Sequence, residues 1–148
     1  MPDGTGYAAE EAAIRSLIDA KLAATRAKDA AGATACFAPE ALSFDVVGPL
    51  CFAGAGPIQK RAEAWLSSFQ GPLGFELRDL RLVVGDGVAF AHSLNHVSGA
   101  RLDGGHLDMW WRETACLEKR DGRWMITHVH DSVPFDPETG KASVGLKS

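Results

Sequence analysis

The chain has 148 residues, 46% of them apolar, which is enough for one domain with a real core. With 15 Lys plus Arg against 19 Asp plus Glu, it carries a formal charge of −4 and no basic block, so it lacks the cationic patch that a nucleic-acid or anionic-membrane partner needs. No apolar run approaches a membrane span, segment 1–6 has no leader-like n- or h-region, and Cys36, Cys51 and Cys116 fit neither a disulfide framework nor a zinc motif, so a reduced, cytoplasmic protein is expected.

From Glu10 to about Lys28 the apolar residues Ile14, Leu17, Ile18 and Leu22 follow the spacing of one buried helix face. Asp29 is a suitable N-cap for a shorter helix to about Phe37, and Ala38-Pro39-Glu40 then breaks the pattern. Leu42–Val47 and Leu50–Phe52 read as two short strands around Gly48-Pro49. Pro57 suits the start of a third helix with Ile58, Ala62, Trp65, Leu66 and Phe69 as its apolar stripe, ended by Gly71-Pro72.

Beyond Gly74 the pattern is four long antiparallel strands, about 75–84, 87–99, 105–119 and 122–133, separated by Gly-containing turns. The alternation changes phase between Leu77 and Leu80, which places a bulge near Asp79 and predicts a curved sheet. Helices followed by a curved meander make an α+β architecture whose concave face encloses space that three helices do not fill. The segment from Asp136 is expected to be a surface extension of a single domain with its core at about 9–135.

The last strands carry Asp-Gly-x-Trp-x-Ile-x-His-x-His from Asp121 to His130. With the helices-first order, this resembles the nuclear transport factor 2-like superfamily, in particular its SnoaL-like and ketosteroid-isomerase-homologue members, and is similar to the association domain of calcium/calmodulin-dependent kinase. The resemblance implies a cone-shaped α+β fold packed on three N-terminal helices, cystatin-like in outline, usually dimeric, with a pocket in the cone. It does not imply one activity.

Ala41–Pro49 resembles the segment that holds the general-base aspartate of ketosteroid isomerases, and Asp45 falls on that base. An aspartate amid Phe44, Val46 and Val47 at the mouth of an apolar pocket would have its charged form desolvated, as a carboxylate base near neutral pH requires. The isomerase tyrosine position falls on Lys21 and the acid position on Thr114. Lys21 sits within the Leu17, Ile18, Leu22 stripe, where its stem snorkels to solvent or its ammonium points into the pocket as an oxyanion stabiliser.

On the last two strands Asp108, Trp110, Arg112 and Thr114 share one face, as do Trp124, Ile126, His128, His130 and Ser132. A two-residue turn at Asp121-Gly122 puts Arg112 opposite Asp131 and Thr114 opposite Val129. A left-handed bulge at Gly122 puts Arg112 opposite His130 and Thr114 opposite His128. The isomerase resemblance implies the first, with Thr114, Thr127, Val129 and Asp131 in the pocket beside Arg112. His128 and His130 form an H-x-H pair about 6.6 Å apart along the strand, but no third ligand follows at close spacing, and no metal is expected. They are structural histidines or a pocket acid and base.

His92, Ser93, Asn95 and His96 lie on the strand 87–99, where Asn95 is the candidate donor to a ligand oxygen. Phe44, Trp65, Phe69, Met109 and Trp110 are apolar wall candidates. The expected protein is a cofactor-independent isomerase, dehydratase or cyclase acting next to a carbonyl of a hydrophobic small molecule. Asp45 is the base; Arg112, Asp131, His128 or His130 is the acid or oxyanion partner. Phe44, Trp65, Phe69, Asn95, Asp108, Trp110, Thr114 and Lys21 contact substrate. The alternative is a non-catalytic ligand-binding or assembly module. A homodimer is expected, with Met125 and Trp111 as contact candidates.

Overall fold

The computed structural model describes residues 6–148; residues 1–5, on which most of the leader reading rests, lie outside it. The order is α1 (Ala8–Arg26), α2 (Ala30–Thr34), β1 (Phe37–Phe44), β2 (Phe52–Ala53), α3 (Ala55–Ser67), β3 (Phe69–Val84), β4 (Val88–Arg101), β5 (His106–Arg120) and β6 (Arg123–Ser132). No helix among the described residues is long and apolar enough to cross a membrane.

Helix α1 has Glu10 and Glu11 in its first turn and Arg26 in its last, each favourable to the helix dipole, and it buries Ile14 completely. Asp29 caps α2, its Oδ1 accepting from the Gly32 N–H at 3.0 Å. This helix is shorter than expected. Ala38-Pro39-Glu40 lies inside β1, where the register with β6 shifts between Phe37 and Leu42 and so relieves Pro39 of a ladder donor. Helix α3 likewise stops before Gly71-Pro72. Those two residues sit within β3 at a register shift between Gln70 and Gly74, and Gly71 takes φ +72°.

The six strands form one curved sheet in the order β2-β1-β6-β5-β4-β3. It is mixed rather than wholly antiparallel, because β1 pairs parallel to β6. The expected bulge is present: pairing shifts between Arg78 and Arg81, with Asp79 at φ +56°. The helices cover the concave face and leave two separate apolar clusters. One gathers Ile14, Phe37, Ala41, Ile58, Leu117, Trp124, Ile126 and Val129; the other, Leu66, Phe69, Leu73 and Val97.

Neither expected register for the β5–β6 hairpin holds. Asp121 and Gly122, both at positive φ, make the two-residue turn, with Arg120 opposite Arg123. A second shift follows beyond Leu117, which pairs with Ile126 while Cys116 pairs with His128. Thr127 is the extra residue, and its hydroxyl donates to the Cys116 carbonyl at 3.3 Å. Arg112 therefore lies opposite Ser132, and Thr114 opposite His130.

Candidate functional site

That one-residue bulge decides which side chains of β6 face the helices. Before it, Trp124 and Ile126 are buried inward; after it, the inward positions are Val129 and Asp131. On β5 the inward positions are Leu107, Met109, Trp111, Glu113 and Ala115, and on β4 Ala91, Ser93, Asn95 and Val97. Between the sheet and the helices lies a cavity of about 630 Å3, lined by members of both apolar clusters and by Phe52, Trp65, Phe75 and Trp111. A smaller chamber of about 50 Å3 adjoins it, and Lys21, Thr25, Phe75, Glu113 and Val129 line both.

Glu113 and Asp131 are direct cross-strand partners on the inner face, within hydrogen-bonding reach of each other. Two buried carboxyl groups so placed cannot both be ionised. The Ser93 hydroxyl donates to Asn95 Oδ1 at 2.7 Å, and Asn95 Nδ2 donates to Glu113 Oε2 at 2.9 Å. Of the two, Asp131 is the carboxyl pushed toward its protonated form. Burial, the Glu113 charge and hydrogen bond, and the charge of Asp45 push the Asp131 carboxyl well above its ordinary range, while Lys21 opposes them. Asp131 Oδ1 is buried without a hydrogen-bond partner.

Asp45 also lines the cavity, where it is ion-paired. Arg61 Nε donates to its Oδ2 at 3.2 Å and the Val47 N–H to its Oδ1 at 3.3 Å. Lys21 does point inward, with Nζ 5.7 Å from the Phe37 ring centre. Asn95 is inward and 1% exposed, and Trp65 is a cavity wall. Phe69 is not: it is buried behind Trp65, the rings edge to face at 5.3 Å.

The remaining predicted site residues lie on the opposite face of the sheet and line neither chamber. Arg112 donates to Ser132 Oγ at 3.1 Å, and Thr114 pairs with His130. His128 Nδ1 meets the Leu42 carbonyl at 2.9 Å, and Phe44 packs edge-on against His128 and His130. Asp108 meets His96 Nε2 at 2.8 Å, and Trp110 stacks on His96 at 4.4 Å. On β5 the even-numbered residues do share one face, the outer one, but on β6 the bulge splits the expected row, with Trp124 and Ile126 inside and His128 and His130 outside. Trp111, expected at a dimer contact, is inside against Trp65 and Phe75, and Met125 packs partly against the core. Among the described residues no group of three or more His, Cys, Asp or Glu is placed to hold a metal ion.

Glu113, Arg61 and the tail residues Ala142 and Val144 are cavity-lining groups that sequence reasoning missed. For Glu113 a signal existed: it is a carboxylate in an otherwise apolar odd-numbered row from Leu107 to Leu117.

A SnoaL-like domain matches residues 14–136. The chain belongs to the SnoaL-like family. It is similar to a nuclear transport factor 2-like protein of unknown function from Pseudomonas putida, with 32% identity, 95% of this chain and 97% of that one covered, and a TM-score of 0.85. It shares its fold with a nuclear transport factor 2-like superfamily protein from Salmonella enterica, at 20% identity, coverage of 98% and 100%, and TM-score 0.75. A ketosteroid isomerase-like protein from Erwinia carotovora has the same fold at 16% identity, coverage of 82% and 93%, and TM-score 0.69. No curated protein matches the chain.

Proposed function

We propose that this SnoaL-like protein binds a small, mostly apolar molecule carrying a carbonyl group and catalyses proton transfer beside that carbonyl, as in isomerisation, dehydration or cyclisation. The observation that carries this is Asp131, a buried carboxyl group with an unpartnered oxygen on the wall of an aromatic-lined cavity. For this the Asp131 proton leaves Glu113, which Asn95 still holds, and moves to the unpartnered Oδ1, from which it donates a hydrogen bond to the carbonyl oxygen as negative charge develops there. Asp45, the carboxylate held by Arg61 on the same cavity, takes the proton from the adjacent carbon. Returning that proton to another carbon completes an isomerisation with no net electron transfer and no added cofactor. Glu113 and Asn95 position Asp131 without needing to touch the substrate.

Proton exchange in D2O, followed by 1H NMR over a panel of cyclic ketones and enones, tests the reading. At least one compound exchanges faster with the protein, and Asp131→Asn and Asp45→Asn each lower that rate by about 10²- to 10⁴-fold. Saturable binding without exchange in any compound would move the protein to the non-catalytic binding class.

We also propose a homodimer formed through the outer face. Val83, Phe90, Cys116, His128 and Leu42 form one cross-strand row over five strands, and Leu42, Phe44, Val88 and Phe90 remain exposed. Sedimentation showing a monomer at micromolar concentration would refute this arrangement.

A further inference from the structure

The chain does not leave the cavity when β6 ends. Val133, two residues beyond Asp131, lines the large cavity, and after a tight excursion the backbone returns so that Ala142 and Val144 line it too. The excursion is a closed hairpin rather than a loose extension. Phe135 bridges Ala142; the Asp136 N–H donates to the Lys141 carbonyl, the Gly140 N–H to the Asp136 carbonyl and the Ser143 N–H to the Pro134 carbonyl, each at 2.7 Å. Gly140 takes φ +71°, which lets the turn close. Its outer side is solvent, with Phe135 67% exposed. The strand of residues then crosses to the other side of the sheet, where Arg78 Nη1 donates to the Ser148 carbonyl at 3.3 Å and Lys147 adds to the field at Asp108.

Closed on itself by these bonds, the hairpin brings Ala142 and the half-exposed Val144 to the cavity and forms one side of its mouth. We propose that residues 133–144 are a specificity-determining wall: the hairpin closes one side of the cavity, and the small side chain at Ala142 sets the length of ligand it admits. The claim of ligand selection rests on the proposed function, whereas the claim that the segment closes the cavity does not.

Two variants test it: a chain ending at Pro134, and the full-length Ala142→Trp. The probes are cyclohex-2-enone, 2-acetylnaphthalene and a four-ring steroid enone, with Kd measured for each. Truncation should shift the preference toward the steroid enone by about tenfold relative to cyclohexenone, and Ala142→Trp should shift it the other way by a similar factor. An unchanged ratio of the steroid enone Kd to the cyclohexenone Kd in every folded variant would overturn the wall. Should the truncated chain fail to fold, the Trp substitution in the full chain decides alone.

A ligand-free reading separates failure of the wall from failure of the ligand site. Acrylamide quenching in a Trp110→Phe background reports on the cavity residues Trp65 and Trp111, because Trp124 is buried in the core. If no probe binds the full chain, the proposed function falls. In that case increased quenching on truncation supports the wall and unchanged quenching overturns it.

Discussion

Replacing Asp131 with Asn should stabilise the protein at neutral pH, and by an amount that grows with pH. Folded Asp131 keeps a proton that the unfolded chain releases above about pH 3.9. Stability of the native protein therefore falls as pH rises from there to the folded-state pKa, by up to about 1.4 kcal/mol per pH unit, and levels off above it. Asn is close to isosteric, and its amide can donate to Glu113 in place of the carboxyl O–H, so the variant keeps the hydrogen bond and loses the titration. Glu10, Glu40 and Asp108 shift the other way, being held low by Lys119 and Trp124, by Arg120 and by His96 respectively. Their contribution is complete above the ordinary carboxylate range and is lost as pH falls from there through their lowered values; it is common to both proteins and cancels in the difference. Urea unfolding of both proteins from about pH 4 to pH 8 gives the difference directly. The two should coincide near pH 4 and diverge above it, with the variant the more stable. A difference that does not change with pH would refute the protonated, buried Asp131 and the chemistry built on it.

Glu113→Gln should lower the Asp131 pKa by removing a neighbouring charge and yet leave it above the ordinary range, because burial is the largest cause; a 13C carboxyl titration measures this. Lys21→Met should raise it further in the same experiment, since Lys21 is the group that opposes the shift. Phe69→Ala should cost about 3–5 kcal/mol in urea unfolding while leaving probe affinity unchanged, because the ring fills the second apolar cluster and does not line the cavity. At the β3 bulge, where Asp79 holds a left-handed backbone, Asp79→Val should lower stability by about 1–2 kcal/mol in urea unfolding, and Asp79→Gly should not.

How much of this was legible in the sequence differs between fold and site. The helix stripe of Ile14, Leu17, Ile18 and Leu22, the cap at Asp29 and the bulge at Asp79 follow from local periodicity and backbone preference, and each is where those rules put it. Pro39 and Pro72 have the sequence signature of terminators, yet both sit in strands, at register shifts that spare them a ladder donor. The site depended on a single residue. Thr127 gives no sequence signal for a bulge, yet its insertion changes the phase of β6, so His128 and His130 turn outward and Asp131 turns in. On β5 the eye falls on Asp108, Arg112 and Thr114 as chemistry-bearing groups, but a polar row on a half-buried sheet marks the outer face. The partnership of Glu113 with Asp131, and of Arg61 with Asp45, joins distant segments and could be read only from the fold.

The chemistry proposed for this cavity depends on where one proton resides. A 13C NMR pH titration of the Glu113 and Asp131 carboxyl carbons in the native protein reads it without a ligand. Asp131 should still be protonated at neutral pH, with the Glu113 resonance moving as Asp131 titrates. Two independent carboxylates, both fully ionised by about pH 5.5, would contradict the proton-sharing pair and remove the basis for proton transfer in this cavity.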